Sequence, residues 1–399
     1  MSEAYTICLI PGDGIGREVI PAAREAIMAT GLHCRFVEAA AGWECFERHG
    51  TALPDETLEA VRQADATLLG AVGSPSRRVP GYRSPVVGLR RALDLYACVR
   101  PVRTPPLPDQ RPGVDMVIVR ENSEGLYSGQ EELAGPEDNP TAIARRIITT
   151  AGSRRIAAFA LDYARRHGRR KITVVHKANV LRETCGLFRE TALGVFASSV
   201  ARGEIAVDEL LVDTAAYHMV RSPERFDVVV TTNLFGDILS DAASAWGGGL
   251  GLAASANIGA DHAIFEPVHG SAPDIAGRGI ANPLAAISAA ALLLDHLGET
   301  ARGDRLRAAV DAALREGIHT PDLGGSATTA DVLNFVVHNL QKENQAMTCP
   351  ECEATLNLSD DLIEGEIVPC PDCGAELEVV STSPVQLQLA PLVEEDWGE

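Results

Sequence analysis

Residues 347–399 of this 399-residue chain contain no lysine, arginine or histidine, yet they carry 13 of its 55 Asp and Glu. Nucleic-acid affinity comes from Lys and Arg neutralising phosphates, and the whole chain is at −20, so nucleic acid is excluded as a partner. Residues 1–346 hold the other 42 acids (55 − 13) and all 35 bases, a net of only −7. A break that sharp, next to the polar stretch "HNLQKENQA" (338–346), marks a domain boundary.

Long apolar runs are missing too. "AAISAAALLLDHLG" is too short for a bilayer, which takes ~20 residues, and reads as a buried helix, so no membrane partner is expected. "MSEAYTICLIPGDG" lacks the basic segment of a secretory signal, and its apolar run stops at Pro-Gly; cytoplasmic residence is the expectation. In that compartment nine cysteines do not make a disulfide framework. Cys8, Cys34, Cys45, Cys98 and Cys185 are scattered and read as small buried hydrophobes. Repeats and low-complexity segments are also lacking.

What is present is a globular composition, 46% hydrophobic and 23% charged, in a chain long enough for two or three domains. Strands are expected at "YTICLIP", "HCRFVEA", "ATLLGAV", "VDMVIVREN", "KITVVHKA" and "RFDVVVTTN". Helices are expected at "REVIPAAREAIMATG", "PDETLEAVRQA", "ARRIITTAGSRRIAAFALDYARRHG" and "NPLAAISAAALLLDHLG". This alternation argues for an α/β sheet.

"PGDGIGREV" follows a strand and opens a helix, but its glycines fall at 12, 14 and 16, so the dinucleotide fingerprint GxGxxG is not met. A tight strand-to-helix turn beside a ligand is the better reading.

Arg90, Arg100 and Arg120 stand at element edges, and converging guanidiniums suit a polycarboxylate. Surface solvation is the alternative, plausible for Arg91 and less so for Arg120 after "VDMVIV". Asp237 and Asp241 fall on one face at the start of a helix, where a hard cation such as magnesium or manganese would relieve their repulsion. Helix capping by Asp237 explains them equally well. Lys177 and Asn179 follow a strand, and the lysine is a proton-transfer group or a surface cation. "FEPVHGSAPDIAGRGIANP" carries more special backbone than a connector needs.

Together "IPGDGIGREV", "LRRALDLYACVRP", "VRENSEGLYSG", "HKANV", "TTNLFGDILSD" and "FEPVHGSAPDIAGRGIANP" resemble the β-decarboxylating dehydrogenases, over residues 4–340. That family comprises isocitrate, 3-isopropylmalate and homoisocitrate dehydrogenases. The resemblance implies a non-Rossmann α/β fold in two domains across 1–340: a large one of about 1–102 and 252–340, and a small one with a dimer arm over 103–251. It implies a homodimer or higher assembly. Ser84, Arg90, Arg100 and Arg120 would bind substrate, with Asn179 orienting it. Tyr127 would protonate the enol, and Lys177 of the partner subunit would take the hydroxyl proton. Asp237, Asp241 and Asp213 of the partner subunit would hold magnesium or manganese. Glu266, His269, Gly270, Ser271, Ala272, Asp274, Ile275 and Asn282 would bind the cofactor. NAD is expected because Asp274 and Ile275 stand where NADP users tend to carry Lys and Tyr. In the substrate loop 79–90, "GYRSPVVGLR" looks most like fungal homoisocitrate dehydrogenases. Val87 departs from the arginine of some bacterial ones, which keeps isocitrate and isopropylmalate open as substrates.

Residues 341–346 would link this enzyme to a second module, 347–399. Cys349, Cys352, Cys370 and Cys373 form two CxxC knuckles at the spacing of a four-thiolate zinc site, in a segment too short for a large core. With "EDWGE" at 395–399, the segment resembles the amino-group carrier proteins of bacterial lysine biosynthesis. That resemblance implies attachment of 2-aminoadipate to the Glu399 side chain and docking of lysine-biosynthesis enzymes on the acidic surface. Homoisocitrate oxidation yields 2-oxoadipate, which transamination turns into that cargo, so homoisocitrate is the expected substrate.

Overall fold

The computed structural model describes residues 4–75, 77, 79–108, 110–344, 347–356, 358, 362–382 and 385–390. The chain divides within its last helix into two compact units, residues 1–336 and 337–399.

The first unit is built on ten strands: β1 (Tyr5–Ile10), β2 (Cys34–Glu38), β3 (Ala66–Leu69), β4 (Ala97–Arg103), β5 (Asp115–Glu121), and, after a two-stranded arm β6 (Glu131–Ala134) and β7 (Thr141–Ala144), β8 (Lys171–His176), β9 (Ala206–Leu211), β10 (Val228–Thr231), β11 (Ala254–Ile258) and β12 (Ala263–Pro267). Their order is β2-β1-β3-β12-β11-β4-β5-β10-β8-β9. The outer strands pair in parallel, whereas β12, β11, β4 and β5 pair antiparallel, so the two parallel wings point in opposite directions. "VVVT" of β10 and "ATLL" of β3 are buried throughout, as strands covered on both faces require.

Helices cover the sheet: α1 (Gly16–Ala29), α2 (Trp43–His49), α3 (Asp55–Gln63), α4 (Pro85–Ala92), α5 (Thr150–Arg166), α6 (Thr184–Ala201), α7 (Val212–Arg221), α8 (Asn233–Ser244), α9 (Leu284–His296), α10 (Thr300–Arg315) and α11 (Thr329–Asn344). The apolar run of α9 is the buried helix its length implied. Cys8, Cys45, Cys98 and Cys185 are buried and Cys34 is half-buried. One expectation changes. The helix expected from residue 144 starts at Thr150, because 141–144 pairs with β6 in the arm. The polar stretch 338–344 is the end of α11.

In the second unit, β13 (Met347–Thr348) pairs with β14 (Thr355–Leu356), and β15 (Ile367–Pro369), β16 (Glu376–Thr382) and β17 (Val385–Leu389) form a meander. Among the described residues its core is small: Leu356, Leu377 and Val379 with the buried Cys349 and Cys370. So few apolar residues need a metal to hold them.

Candidate active site and zinc centre

Arg120, near the end of β5, is 1% exposed and ends in polar company. Its Nε and Nη2 donate to Asn233 Oδ1 at 3.0 and 2.6 Å, and its Nη1 donates to Asp237 Oδ1. Surface solvation is therefore not its role. On the neighbouring β4, Arg100 Nη1 donates to Asp241 Oδ1 at 2.6 Å and to Ser240 Oγ at 2.7 Å. Register pairs Arg120 with Cys98, which brings both arginines to the same stretch of sheet under α8. Asn233, Asp237 and Asp241 are four apart and share the helix face turned to them. Gly236 lets α8 come this close: a Cβ there would lie 2.6 Å from Arg120 Cβ and Cγ. Thr232 occupies the N-cap position and Asp237 sits inside α8, so capping does not account for Asp237.

Arg90, on α4, donates to Glu266 Oε1 of β12 at 3.1 Å, and Asn257 Nδ2 donates to the same oxygen at 2.7 Å. Ser84 precedes α4 without capping it through its hydroxyl. The buried Nε atoms of Arg90 and Arg100 have no partner among the described residues. Buried donors left over beside paired acids suit an anionic ligand. A cavity of 20 Å³ lies between Val87, Arg90, Arg91, Asn122, Ser123 and Tyr127.

Tyr127 follows β5 in a short turn, with the Arg120 guanidinium 5.0 Å from its ring centre. Its hydroxyl donates to Asp237 Oδ2. Burial first, then that bond to an anion, pushes its ionisation above the usual range. Arg91 Nη2 donates to the carbonyls of Tyr127 and Ser128 at 3.1 and 3.0 Å. Arg91 is exposed, as a solvated residue would be, and in addition it ties the tyrosine turn to α4.

Lys177 and Asp213 form a pair of their own. They follow β8 and β9, whose register aligns His176 with Leu211, and Lys177 Nζ donates to Asp213 Oδ1 at 2.7 Å. That bond holds the Asp213 carboxyl below its usual range. Asn179 in the same turn is exposed. Among the described residues Asp213 joins no three-membered group of metal donors with Asp237 and Asp241. The hairpin β6–β7 is exposed at all eight positions, with Leu133 76% exposed. An isolated hairpin is marginal in water, and apolar residues on it call for a covering surface.

Of the eight cofactor candidates, Glu266 lies on β12 and the other seven on the loop after it. Glu266 ends in the Arg90 contact above. Asn282 donates from Nδ2 to Asp322 at 3.0 Å, and its Oδ1 accepts from Leu284 N at 3.0 Å at the start of α9. His269 binds the Gly270 carbonyl through Nδ1 at 3.0 Å, while its buried Nε2 has no partner among the described residues. Burial lowers its pKa, so the ring is neutral at pH 7. Gly270 and Asp274 are exposed; Ser271, Ala272 and Ile275 are half-buried. An open loop with an orphan ring acceptor and an outward carboxylate fits a ribose and its hydroxyls.

The glycine-rich turn supports this loop. Ile15 N donates to Ser271 O at 2.9 Å, and a Cβ on Gly14 (φ +56°) would overlap that oxygen. The buried Asp13 carboxylate accepts from the backbone N–H groups of Trp43, Glu44 and Gly73 at 2.7, 3.0 and 2.7 Å. Sequence reading missed Asp13, Arg91, Asn233, Ser240 and Asn257. Only Asn233 had left a signal, being one helical turn before Asp237.

In the second unit the Sγ atoms of Cys349, Cys352, Cys370 and Cys373 all lie within 4.8 Å of one another. The pairs 349/373 and 352/370 are 3.6 Å apart, close to the edge of ~3.8 Å that Zn–S bonds of about 2.3 Å give a tetrahedron. Four thiolates in that arrangement fit zinc. Glu399 and the "EDWGE" stretch lie outside the described residues.

Residues 6–336 match the family described as isocitrate/isopropylmalate dehydrogenase. Residues 347–392 match the globular domain of α-aminoadipate carrier proteins of the LysW type. The isocitrate/homoisocitrate dehydrogenase of Thermus thermophilus is 54% identical over 338 residues, 85% of this chain and 99% of that one. The 3-isopropylmalate dehydrogenase of Methanothermobacter thermautotrophicus is 48% identical over 340 residues, 85% of this chain and 99% of that one. Among solved structures, isocitrate dehydrogenase from Methylococcus capsulatus superposes with a TM-score of 0.80 at 45% identity, over 84% of this chain and 99% of that one.

Proposed function

This chain belongs to the isocitrate/isopropylmalate dehydrogenase family of decarboxylating dehydrogenases, with a LysW-like zinc ribbon joined to it, and from that premise we propose that it oxidises homoisocitrate with NAD to 2-oxoadipate and carbon dioxide in lysine biosynthesis. The joined ribbon carries this choice. An α-aminoadipate carrier has use for 2-aminoadipate, the transamination product of 2-oxoadipate, and neither isocitrate nor isopropylmalate leads to it directly.

In this reading Arg90, Arg100 and Arg120 take the three substrate carboxylates, with Ser84 and Asn179 completing the contacts. Bidentate guanidinium–carboxylate pairing would use the donors that Asp237, Asp241 and Glu266 leave free. Asp237, Asp241 and Asp213 of the partner subunit are the oxygen donors for magnesium or manganese, whose charge would stabilise the oxygen left negative by oxidation and loss of carbon dioxide. Lys177 of the partner subunit removes the hydroxyl proton. Tyr127, held protonated by its surroundings, delivers a proton to the enol carbon. Asp274 accepts from the ribose hydroxyls of NAD and would repel a 2′-phosphate.

The separation of the Lys177–Asp213 pair from the Asp237–Asp241 pair, together with the exposed arm, supports a homodimer with shared sites. In the second module, zinc on the four cysteines supplies the fold, Glu399 is the attachment point for 2-aminoadipate, and lysine-biosynthesis enzymes dock on the acidic surface. A second reading has one observation in its favour: Val87 lines the cavity beside Arg90, where an isopropyl group would find apolar contact.

Steady-state kcat/KM for homoisocitrate, isocitrate and 3-isopropylmalate, with NAD and magnesium, decides between the acids. Homoisocitrate is expected to be highest; a higher value for either competitor overturns the assignment. For the carrier, intact mass after incubation with 2-aminoadipate, ATP and the pathway ligase should show an adduct that Glu399→Ala abolishes.

A further inference from the structure

We propose that Glu18 is a positioning residue for the dinucleotide: it clamps the far side of the loop 268–283 in its binding shape without touching the ligand. The inference rests on the reading that this loop binds NAD. Glu18 Oε1 accepts from Gly277 N at 2.7 Å and Oε2 from Gly279 N at 2.9 Å. One carboxylate in the first turn of α1 thus holds two backbone N–H groups about 260 residues away in the chain.

The loop needs such an anchor. Gly277 and Gly279 have φ of +77° and +66°, with no neighbour within 4 Å of where a Cβ would stand, so packing does not fix them. Ala272 has a φ of +36°, a conformation that persists only where the surroundings over-determine it. On that side the determinant is the bond from Ile15 N to Ser271 O, with Gly14 pressed against the same carbonyl. Asp274 and Ile275 lie between the two anchors. Asp13, by accepting three backbone N–H groups, fixes the turn that supplies both. "PGDGIGRE" therefore acts as a two-point buttress for the cofactor loop. An acid in a first turn also gains from the helix dipole, but that alone requires no partner on the loop.

Glu18→Gln keeps one acceptor oxygen and turns an NH2 group toward the other N–H; Glu18→Ala removes both bonds. Hydrogen bonds to an ionised group are worth enough to expect a rise in KM for NAD of about tenfold in the first variant and about a hundredfold in the second. Values of kcat and of KM for the acid should stay within about twofold, since the arginines and Asp237 are untouched. Titration of NADH fluorescence without any acid substrate should weaken in parallel, and thermal unfolding shows that the variants are folded. A folded Glu18→Ala enzyme that binds NADH like the parent overturns the inference. Asp274→Lys separates this from failure of the loop reading. If it relaxes discrimination against NADP while Glu18→Ala is silent, the buttress alone is wrong. If both variants are silent, the loop is not the cofactor site and the inference falls with it.

Discussion

The Tyr127 hydroxyl donates to one oxygen of Asp237 while Arg120 donates to the other. A single carboxylate thereby connects the proposed proton donor to the proposed substrate-binding arginine. Burial and the neighbouring anion both oppose loss of the phenol proton, so the ionisation of Tyr127 lies above its usual value.

Two outcomes are expected. Tyr127→Phe should lower kcat by about 10²- to 10³-fold, the range of a lost general acid, with a much smaller change in KM. The sign of the pH effect follows from the raised pKa. The protonated form persists past pH ~10, where a free tyrosine ionises, so Tyr127 sets no alkaline limit on the rate below that pH. Its contribution to stability is complete below the unfolded value and is lost as pH rises through the folded one. A tyrosinate absorbance titration of parent against Tyr127→Phe should show the missing step above pH ~10.

Arg91 gives a subtler variant. Its two bonds to the carbonyls of Tyr127 and Ser128 fix the tyrosine turn but carry no chemistry. Arg91→Ala should lower kcat by about tenfold, because misplacing a catalytic group by a fraction of an ångström is costly. Arg91→Lys should recover part of this. Equal losses in both variants would mean that the guanidinium contributes more than position.

Gly236→Ala tests the seating of α8. The new methyl would lie 2.6 Å from Arg120 Cβ and Cγ, and Arg120 is too buried to swing aside. The expected result is a rise of more than about tenfold in KM for the acid together with destabilisation of about 1–3 kcal/mol, the usual cost of overpacking. KM measurement and urea unfolding read the two effects separately.

The sequence was legible where local pattern and chemistry coincide. Strands such as β5 and β10 are apolar runs with clear ends, and α8 showed its acids on one face before any contact was known. The central strands β4, β11 and β12 were not anticipated. "ACVRPVR" and "ASANI" have no alternation, and β11 with β4, like β12 with β3, pairs across about 160 to 200 residues of chain. The arm was not anticipated either: "TAIA" has no strand period, only β6 makes it a strand, and its last residue, Ala144, reads in the sequence as the start of α5. Arg91 looked like a solvated neighbour of Arg90 because its partners are backbone carbonyls, which leave no mark in sequence. Asp13 escaped notice because its partners, three backbone N–H groups, leave no mark either.

Subunit mixing addresses the pairing of Lys177 with Asp213, away from the Asp237 set. If each site uses Lys177 of the partner subunit, a Lys177→Met chain and a Tyr127→Phe chain are each inactive as homodimers. A mixed dimer then contains one site with both defects and one with neither. Co-refolding equal amounts should restore about one quarter of parental activity, since half of the dimers are mixed and each has one intact site. Activity that stays at the level of the separate variants would place Lys177 in its own chain's site.

The two zinc knuckles differ at one informative position. Cys349 N donates to Ala354 O and Glu353 N to Cys349 O, at 2.8 and 2.9 Å; Cys370 N donates to Ala375 O and Gly374 N to Cys370 O, also at 2.8 and 2.9 Å. The backbone is thus the same in both knuckles, and the residue after the second cysteine is left-handed in each, at φ +61° for Glu353 and +74° for Gly374. Glycine takes that conformation without cost, whereas a residue with a Cβ loses ~1 kcal/mol or more. Glu353→Gly should therefore stabilise the ribbon, by somewhat less than that figure because glycine also gains freedom in the unfolded chain. Metal binding and folding are coupled in so small a core, so the gain should appear as zinc affinity raised about threefold in competition with a chelator. Gly374→Ala should shift affinity in the opposite direction, and Cys352→Ser should abolish tight zinc binding. If Glu353→Gly instead weakens zinc retention, the Glu353 side chain contributes something to the knuckle beyond its backbone.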